Sequence, residues 1–475
     1  MYELVSPVNP AALLKYLGNV IFIFGVVLLI PMIAGLALGD LNGAFIFGIT
    51  GIIVGIVGLI LFKILPDHEM QRKEAIALAA LTFPVASFIA AFPLGYIGNM
   101  PFGDALFESI SGLTTTGLSV APPDASPLFL FTRSWLQWIG GLGIVVLMLS
   151  IFLPPGSTAF RLYAVHFGEE KIRPEVTKTA GMLGRIYLIL SLIIIAILLL
   201  AGMGPFDAIC HALSSVSTGG FSTKADSIAA FQGFMVPSAI ICSSIIGAIS
   251  FSLYPLLRTN PKLFFKDPQV RGLFLLAFIG TGFLIITLLD LFPAPITIED
   301  SLFQAVSALT TTGFSTMEIA TLPEASKFVI SVLMWIGGGV GSTAGGIKIL
   351  RFIIILKIIH IVFVRFFLPK EAITPLKVGE HVIERDEVYT ILTYLFLYIA
   401  VLVFSTFILT LSGFPIDNSL FEASSALGTV GLSTGITSAA MPLVPKIILG
   451  IDMLLGRIEI IPLCILLMPQ TWIER

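Results

Sequence analysis

Four short polar segments recur along an otherwise apolar chain, and their residue types suit the binding of a dehydrated cation. Each segment has a threonine two residues before a glycine and a serine two residues after it. Backbone carbonyls and hydroxyl oxygens can replace the water shell of an alkali cation, and glycine permits the backbone angles that turn successive carbonyls toward one axis. The four copies therefore predict one pore with four-fold pseudosymmetry. They run from Thr115 to Ser119, Thr218 to Ser222, Thr311 to Ser315 and Thr429 to Ser433.

We call the cores of these copies the Thr-Gly loops and expect them to bind the transported ion. The fourth, Thr429-Val430-Gly431, repeats the first three residues of the Thr-Val-Gly-Tyr-Gly filter of potassium channels. No copy continues with Tyr-Gly, which predicts a shorter filter of less strict selectivity. An alternative interpretation is that these small residues only pack helices together. The expected ligands are Thr115, Thr116, Gly117, Thr218, Gly219, Gly220, Thr311, Thr312, Gly313, Thr429, Val430 and Gly431.

A helix is predicted before each Thr-Gly loop. Thirteen residues before the glycines stand Asp104, Asp207, Asp300 and Asn418, which are residue types that cap helix N-termini. Each copy is therefore predicted to contain a cap, a helix of about three turns and an extended loop. The negative C-terminal end of each helix would point at the centre of the pore and favour a cation there.

The composition predicts that membrane-spanning helices position these loops. With 56% hydrophobic residues, 12% charged residues and a mean hydropathy of +1.02, the chain is predicted to be an all-α polytopic membrane protein. We see no removable signal peptide, and the three scattered cysteines predict neither disulfides nor a metal site. A bilayer core needs about 20 apolar residues per helix. Ten such stretches are predicted, at 16–38, 43–65, 75–96, 129–153, 181–203, 231–257, 271–292, 327–366, 386–412 and 443–468.

The last eight stretches pair around the Thr-Gly loops as four repeats of helix, pore loop and helix. The first two form an additional N-terminal hairpin. The predicted units are residues 1–70 for the hairpin, and 71–160, 161–260, 261–370 and 371–475 for the four pore repeats.

Charge predicts the orientation. Most of the 26 lysines and arginines fall at the termini or between repeats, including Arg161, Lys171 and Lys370. By the positive-inside rule, that side and both termini are predicted to be cytoplasmic. The opposite side is expected to form an acidic mouth that concentrates cations. Its only basic residues are Arg133, Lys224, Lys327 and Lys446.

A glycine-rich segment interrupts the longest apolar stretch. We call residues 337–348 the glycine loop, and its many glycines cannot sustain an unbroken helix. The break is predicted to fall just below the filter, where a loop could block or open the pore. A packing kink is the alternative, and a phosphate-binding loop is disfavoured because no Ser or Thr follows Lys348. The candidate gating residues here are Gly337, Gly338, Gly339, Gly341, Gly345, Gly346 and Lys348.

Arg457 is a cation within the last apolar stretch, where a charge usually marks a function or a salt bridge. Helical geometry points it away from Asp452 and Glu459. We hypothesise that it projects under the filter, near the glycine loop, as a positive barrier. The alternative is a salt bridge to another helix. Lys348 either neutralises Glu459 or extends toward the cytoplasm.

Taken together, these motifs resemble the superfamily of potassium transporters that contains the bacterial Trk and Ktr membrane subunits and their plant and fungal relatives. The resemblance covers nearly the whole length. The two leading helices favour the TrkH-like branch. The resemblance rests on four sets of residues: the Thr-Gly loops, Trp138-Ile-Gly-Gly-Leu-Gly143, the glycine loop and Gly456-Arg457-Ile-Glu459.

The resemblance implies potassium uptake, an intramembrane gating loop at the glycine loop and a gating role for Arg457. All four loop glycines are present, whereas a serine in the first repeat marks sodium-preferring plant relatives. The resemblance further implies a homodimer with one pore per subunit, docked on a cytoplasmic ring of nucleotide-binding, TrkA-like regulatory subunits. No cofactor on this chain and no nucleic-acid partner are expected, with potassium as the substrate and the lipid bilayer as surroundings.

Two other function classes are disfavoured. A secondary carrier coupled to sodium or protons would use two-fold repeats, which four parallel copies disfavour. A membrane-embedded enzyme is disfavoured because no nucleophile with a base, metal cluster or paired intramembrane carboxylates is visible.

Overall fold

The computed structural model describes residues 7–67, 70–122, 124–147, 176–289, 298–369, 374–379 and 381–472, and these are almost entirely helical. The first part of the chain contains α1 (Pro10–Val27), α2 (Leu29–Leu38), α3 (Leu41–Ile64), α4 (Arg72–Gly98), α5 (Phe102–Leu113), α6 (Pro127–Leu147), α7 (Val176–Leu200), α8 (Pro205–Val216) and α9 (Met235–Ala248). The second part contains α10 (Tyr254–Thr259), α11 (Pro261–Lys266), α12 (Pro268–Leu289), α13 (Ile298–Leu309), α14 (Glu324–Ile336), α15 (Ile349–Arg365), α16 (Arg385–Leu411), α17 (Ile416–Leu427), α18 (Leu443–Ile458) and α19 (Ile460–Leu467).

A minimal antiparallel pair, β1 (Lys377–Val378) and β2 (His381–Val382), joins α15 to α16. The predicted boundary at residue 160, and Arg161, Lys171 and Lys370, lie outside the described residues.

Six helical segments in the described ranges are long and apolar enough to cross a membrane. A seventh results if α9 and the following segment Phe251–Thr259 are one span, although they meet at 89°. The six are Pro10–Leu38, Leu41–Ile64, Lys73–Gly98, Ala180–Leu200, Pro268–Leu288 and Arg385–Leu411. This is an integral membrane protein with an all-helical fold.

Four short helices precede the Thr-Gly loops, and each spans 12 residues, as predicted. We call α5, α8, α13 and α17 the short helices. Their predicted N-caps are wrong, because Asp104, Asp207, Asp300 and Asn418 are each the third residue of the helix as described.

Proline explains the earlier start of three of these helices. Pro101 and Pro415 occupy the N-cap positions of α5 and α17, and Pro205 is the first residue of α8. The fixed φ of proline favours the start of a helix, and proline has no N–H that would need a cap. The acidic residues therefore bond elsewhere: Lys446 Nζ donates to Asp104 Oδ1 at 2.6 Å, and Thr316 Oγ1 donates to Asp300 Oδ1 at 2.9 Å.

Two apolar stretches expected to be continuous are broken. The stretch 231–257 bends after Ala248, because the terminal carbonyls of α9 bond to the glycine loop: Gly339 N donates to Ala248 O at 2.9 Å. The stretch 443–468 breaks at Glu459, which has φ +67. Pro462 explains that break, because it cannot donate an amide hydrogen to Ile458 O. The predicted break in 327–366 is confirmed, since α14 ends at Ile336 and α15 begins at Ile349.

Candidate ion pore and glycine loop

The four Thr-Gly loops meet and close a ring. Each loop glycine lies so near a carbonyl oxygen of the next loop that a Cβ there would be only 1.7 to 2.3 Å from it. Real Cβ atoms do not approach oxygen this closely, so glycine is required at all four positions. In order around the ring, the contacts are Gly117 to Gly219 O, Gly220 to Thr312 O, Gly313 to Val430 O and Gly431 to Thr116 O.

Each short helix ends in a Schellman motif whose left-handed residue is a threonine instead of the usual glycine. In α5, Thr116 N donates to Ser111 O at 2.9 Å and Thr115 N donates to Gly112 O at 3.0 Å. The other three helices repeat both bonds. A β-branched residue at positive φ is a strained outlier that marks a functional constraint. The φ angles are +54 for Thr115, +52 for Thr218, +54 for Thr311 and +51 for Thr429.

This backbone alternates in a way that suits ion binding. A threonine at positive φ is followed two residues later by the loop glycine, which is also at positive φ. The loops immediately follow the negative ends of four helix dipoles, where a cation is favoured. Thr115 Oγ1 and Thr429 Oγ1 are buried and have no hydrogen-bond partner among the described residues. Unpartnered buried oxygens of this kind fit a transported cation.

A repeated hydrogen bond fixes the other end of each loop. The residue nine before the loop glycine bonds to the serine two after it, although its type differs between copies. Glu108 and Glu422 act in this way, so their carboxylates bond to the surrounding loop structure. The four bonds are Ser119 Oγ to Glu108 at 2.9 Å, His211 with Ser222 at 3.0 Å, Gln304 to Ser315 at 2.7 Å and Ser433 Oγ to Glu422 at 2.6 Å.

A cavity of about 980 Å³ opens on one side of the ring, and all four loop glycines line it. We call it the mouth cavity. Its lining contains Asp226 and Glu318 but also Arg133 and Lys224, so the expected acidic excess is absent from this lining. The four basic residues of this side instead pair with carboxylates on the short helices. The pairs are Arg133 with Glu108, Lys224 with Asp207, Lys327 with Asp417 and Lys446 with Asp104.

The glycine loop packs against the ring on the side away from the mouth cavity. Gly345 N donates to Thr311 Oγ1 at 2.8 Å, and a Cβ on Gly345 would lie 2.1 Å from Thr429 Oγ1. Thr343 Oγ1 donates to Val216 O, at the end of α8, at 2.9 Å. The loop is therefore in direct contact with the threonines predicted to form the inner end of the filter.

The predicted gating glycines allow this compact loop. Gly337, Gly341 and Gly346 have φ of +73, +77 and +73, where side chains cause strain. Gly338 and Gly339 lie against the end of α9, where a Cβ would be 3.0 and 3.3 Å from Ala248 O.

Arg457 binds the glycine loop, and the prediction that Arg457 lies near this loop is confirmed. Its Nη1 donates to Thr343 O at 2.6 Å and its Nη2 donates to Gly140 O at 3.0 Å. The side chain is 2% exposed, and it forms no salt bridge within the described residues. The alternative of an interhelical salt bridge is therefore not observed there.

Glu459 has a partner that the sequence did not reveal. Both of its carboxylate oxygens accept from Arg351 Nη2, at 2.9 and 2.8 Å, and the Arg351 guanidinium lies 4.4 Å from the centre of the Tyr394 ring. Lys348 was expected to neutralise Glu459 or to extend toward the cytoplasm, and neither is observed. Its ammonium instead donates to Ala344 O within the glycine loop. The only sequence signal for Arg351 is that it is a charged residue in an apolar stretch. Glu459 is too distant along the chain for residue spacing to identify it as the partner of Arg351.

Known proteins resemble this chain over nearly its whole length. An uncharacterised cation transporter of Methanocaldococcus jannaschii is 34% identical, with 96% of this chain and 94% of that protein covered. The Trk system potassium uptake protein TrkH of Halomonas elongata is 32% identical, with 97% and 98% covered. The crystal structure of the potassium transporter TrkH from Vibrio parahaemolyticus matches with a TM-score of 0.87 at 27% identity, covering 98% of this chain and 100% of that one. The family model of TrkH, described as a cation transport protein, matches residues 45–475. This chain therefore belongs to the TrkH family of cation transport proteins.

Proposed function

We propose that this protein takes up potassium through a channel-like pore formed by the four Thr-Gly loops. The observation that carries the proposal is the closed ring, in which every loop glycine contacts a carbonyl of the next loop. Relatives are named potassium uptake proteins, and the ring offers the carbonyl and hydroxyl oxygens that suit a dehydrated alkali cation. The membrane potential, negative inside, would drive the uptake.

The ion-binding residues of this proposal are the twelve Thr-Gly loop residues predicted from the sequence. In this proposal their carbonyls would face a common centre, which the positive φ of the threonines and of the loop glycines and the close contacts between neighbouring loops support. The hydrogen bonds from position nine before the glycine brace each loop against collapse, so that the site keeps its width when an ion leaves.

The gate of this proposal is the glycine loop held by Arg457. The loop contacts Thr311 and Thr429 directly below the ring, where it would obstruct an ion leaving the filter. The positive charge of Arg457 adds an electrostatic barrier in a region of low dielectric. Opening would require the loop to leave both contacts.

The membrane arrangement follows from the same proposal. Ten crossings, in four pore repeats and an N-terminal hairpin, would place the mouth cavity outside and both termini in the cytoplasm of a bacterial or archaeal cell. The repeats would be 71–160, 161–260, 261–370 and 371–475. A homodimer with one pore per subunit would dock on a TrkA-like cytoplasmic ring, which supplies nucleotide control. A nucleotide effect that persisted in the membrane subunit alone would contradict this division of roles.

The test is cation flux into liposomes that contain the purified protein, under potassium or sodium gradients. We expect potassium-selective flux, and we expect Gly117→Ser to lower the potassium-to-sodium ratio at least about tenfold, because a Cβ there would lie 2.3 Å from Gly219 O. Gly184→Ser is the matched control, since nothing lies within 4 Å of its Cβ position. Saturable, proton-coupled uptake that Gly117→Ser leaves unchanged would instead favour a secondary carrier.

A further inference from the structure

Within the described residues, one buried carboxylate outside the pore has no cationic partner. Asp452, on α18, is 2% exposed, and its Oδ1 accepts one hydrogen bond, from Ser405 Oγ on α16, at 2.8 Å. Its Oδ2 is buried and has no hydrogen-bond partner among the described residues. On α16, Tyr398 is 1% exposed, and its hydroxyl is likewise without a described partner.

The surroundings of Asp452 are apolar. Its helix neighbours Leu449 and Met453 belong to one buried cluster with Leu402 and Leu409 of α16. An ionised carboxylate in such a place is costly unless a cation or several donors compensate it, and here one hydroxyl donates to it. A carboxylic acid avoids that cost by taking one proton from water, which leaves a neutral group that packs between the helices.

Several charged groups on the elements that pack against α18 have other partners. Glu108 of α5 and Glu422 of α17 bond to their own Thr-Gly loops, and Glu74 of α4 accepts from Asn9 N at 3.3 Å. On α18 itself, Lys446 pairs with Asp104, and Arg457 donates to two carbonyls. Within the described residues, only Ser405 is observed to bond to Asp452, and α19 carries no charged residue.

We propose that Asp452 is a proton-binding site whose occupancy holds α18 against α16 and thereby keeps Arg457 on the glycine loop. Asp452 lies on the same helix as Arg457, little more than one turn before it. Loss of the proton leaves an unpaired charge between α16 and α18, which draws in water and loosens their packing. Arg457 then moves with α18, and the glycine loop is released. This inference rests on the proposed potassium pore.

The experiment measures potassium flux in liposomes across about pH 6 to 9, a range in which buried carboxyl groups can titrate. We expect the flux of the native protein to rise with pH by up to about tenfold per unit, the limit for one linked proton. Asp452→Asn, which resembles the protonated acid in shape and charge, should remove this rise. Ser405→Ala removes the one observed donor to the carboxylate, and should shift the midpoint of the rise to higher pH.

A second readout does not depend on flux. Infrared difference spectra between the two ends of the pH range should show the carbonyl stretch of a protonated carboxylic acid in the native protein and lose it in Asp452→Asn. An unchanged pH profile in Asp452→Asn, or an infrared band that the substitution leaves in place, would overturn the proton site while the potassium pore stands. Absence of selective potassium flux in the native protein would overturn the pore itself, and the infrared result would then still report on the proton.

Discussion

Replacing Arg457 with alanine should open the pore. The guanidinium links α18 to the glycine loop through a bond of 2.6 Å to Thr343 O, and it links α18 to α6 through a bond of 3.0 Å to Gly140 O. Hydrogen bonds that involve a charged group contribute about 1.5 to 3 kcal/mol each. Loss of the Thr343 bond alone, at about 1.5 kcal/mol, changes the ratio of released to bound loop about tenfold. The bond to Gly140 holds α18 against α6, so its loss, at about another 1.5 kcal/mol, loosens α18 without directly releasing the loop.

The assay is initial potassium flux in liposomes with equal amounts of folded protein. We expect Arg457→Ala to raise flux at least about tenfold, up to the limit set by the filter. Arg457→Lys separates charge from tethering, because lysine keeps the positive charge but lacks the planar fork that reaches two carbonyls. If the charge is the main barrier, Arg457→Lys stays near the native flux.

Arg258→Ala is the matched control, since Arg258 is an exposed arginine at the end of α10. Native flux in Arg457→Ala would refute the assignment of this residue to the gate. An equal rise in Arg258→Ala would show that the effect is not specific to the glycine loop.

Two further substitutions test the ring and its bracing. Gly313→Ala would place a methyl carbon 1.7 Å from Val430 O, so potassium flux should fall at least about tenfold, whereas Gly184→Ala should leave it unchanged. Glu422→Gln removes one of two acceptor oxygens that together accept four hydrogen bonds, so the free energy of unfolding should fall by about 1 to 3 kcal/mol and potassium selectivity should weaken. Exposed Glu324→Gln controls for the loss of charge, and thermal unfolding together with the potassium-to-sodium flux ratio provides the measurement. Native values in Glu422→Gln would contradict the bracing role.

Local signals explain which features were predictable from the sequence. The short helices and the break at the glycine loop depend on glycine and threonine at fixed spacing, and these residues act within a few positions of themselves. The break at the glycine loop and the length of the short helices were therefore predicted closely, whereas the starts of the short helices were predicted three residues too late.

Features set by contacts between distant segments were not predictable in this way. The positive φ of Thr429 contradicts local preference and is maintained by the packed ring around it. The pair of Arg351 with Glu459 joins helices that are far apart in sequence. The break at Glu459 had a local signal in Pro462, but the strong apolar character of 443–468 favoured one continuous span.

The break between α18 and α19 is bonded to the break between α14 and α15, which contains the glycine loop of the proposed gate. Arg457 and Glu459 flank the break between α18 and α19, and they bind the third repeat at two points: Arg457 at Thr343 inside the glycine loop, and Glu459 at Arg351 just after it. A loop held at both points cannot leave the ring by bending at one end. In the proposed gate, release would therefore require α18 to move relative to α15, and opening would be a cooperative event between the third and fourth predicted repeats. The ring depends on the threonines and glycines that all four copies share. The proposed gate depends on the glycine loop of the third copy and on Arg457 and Glu459 of the fourth.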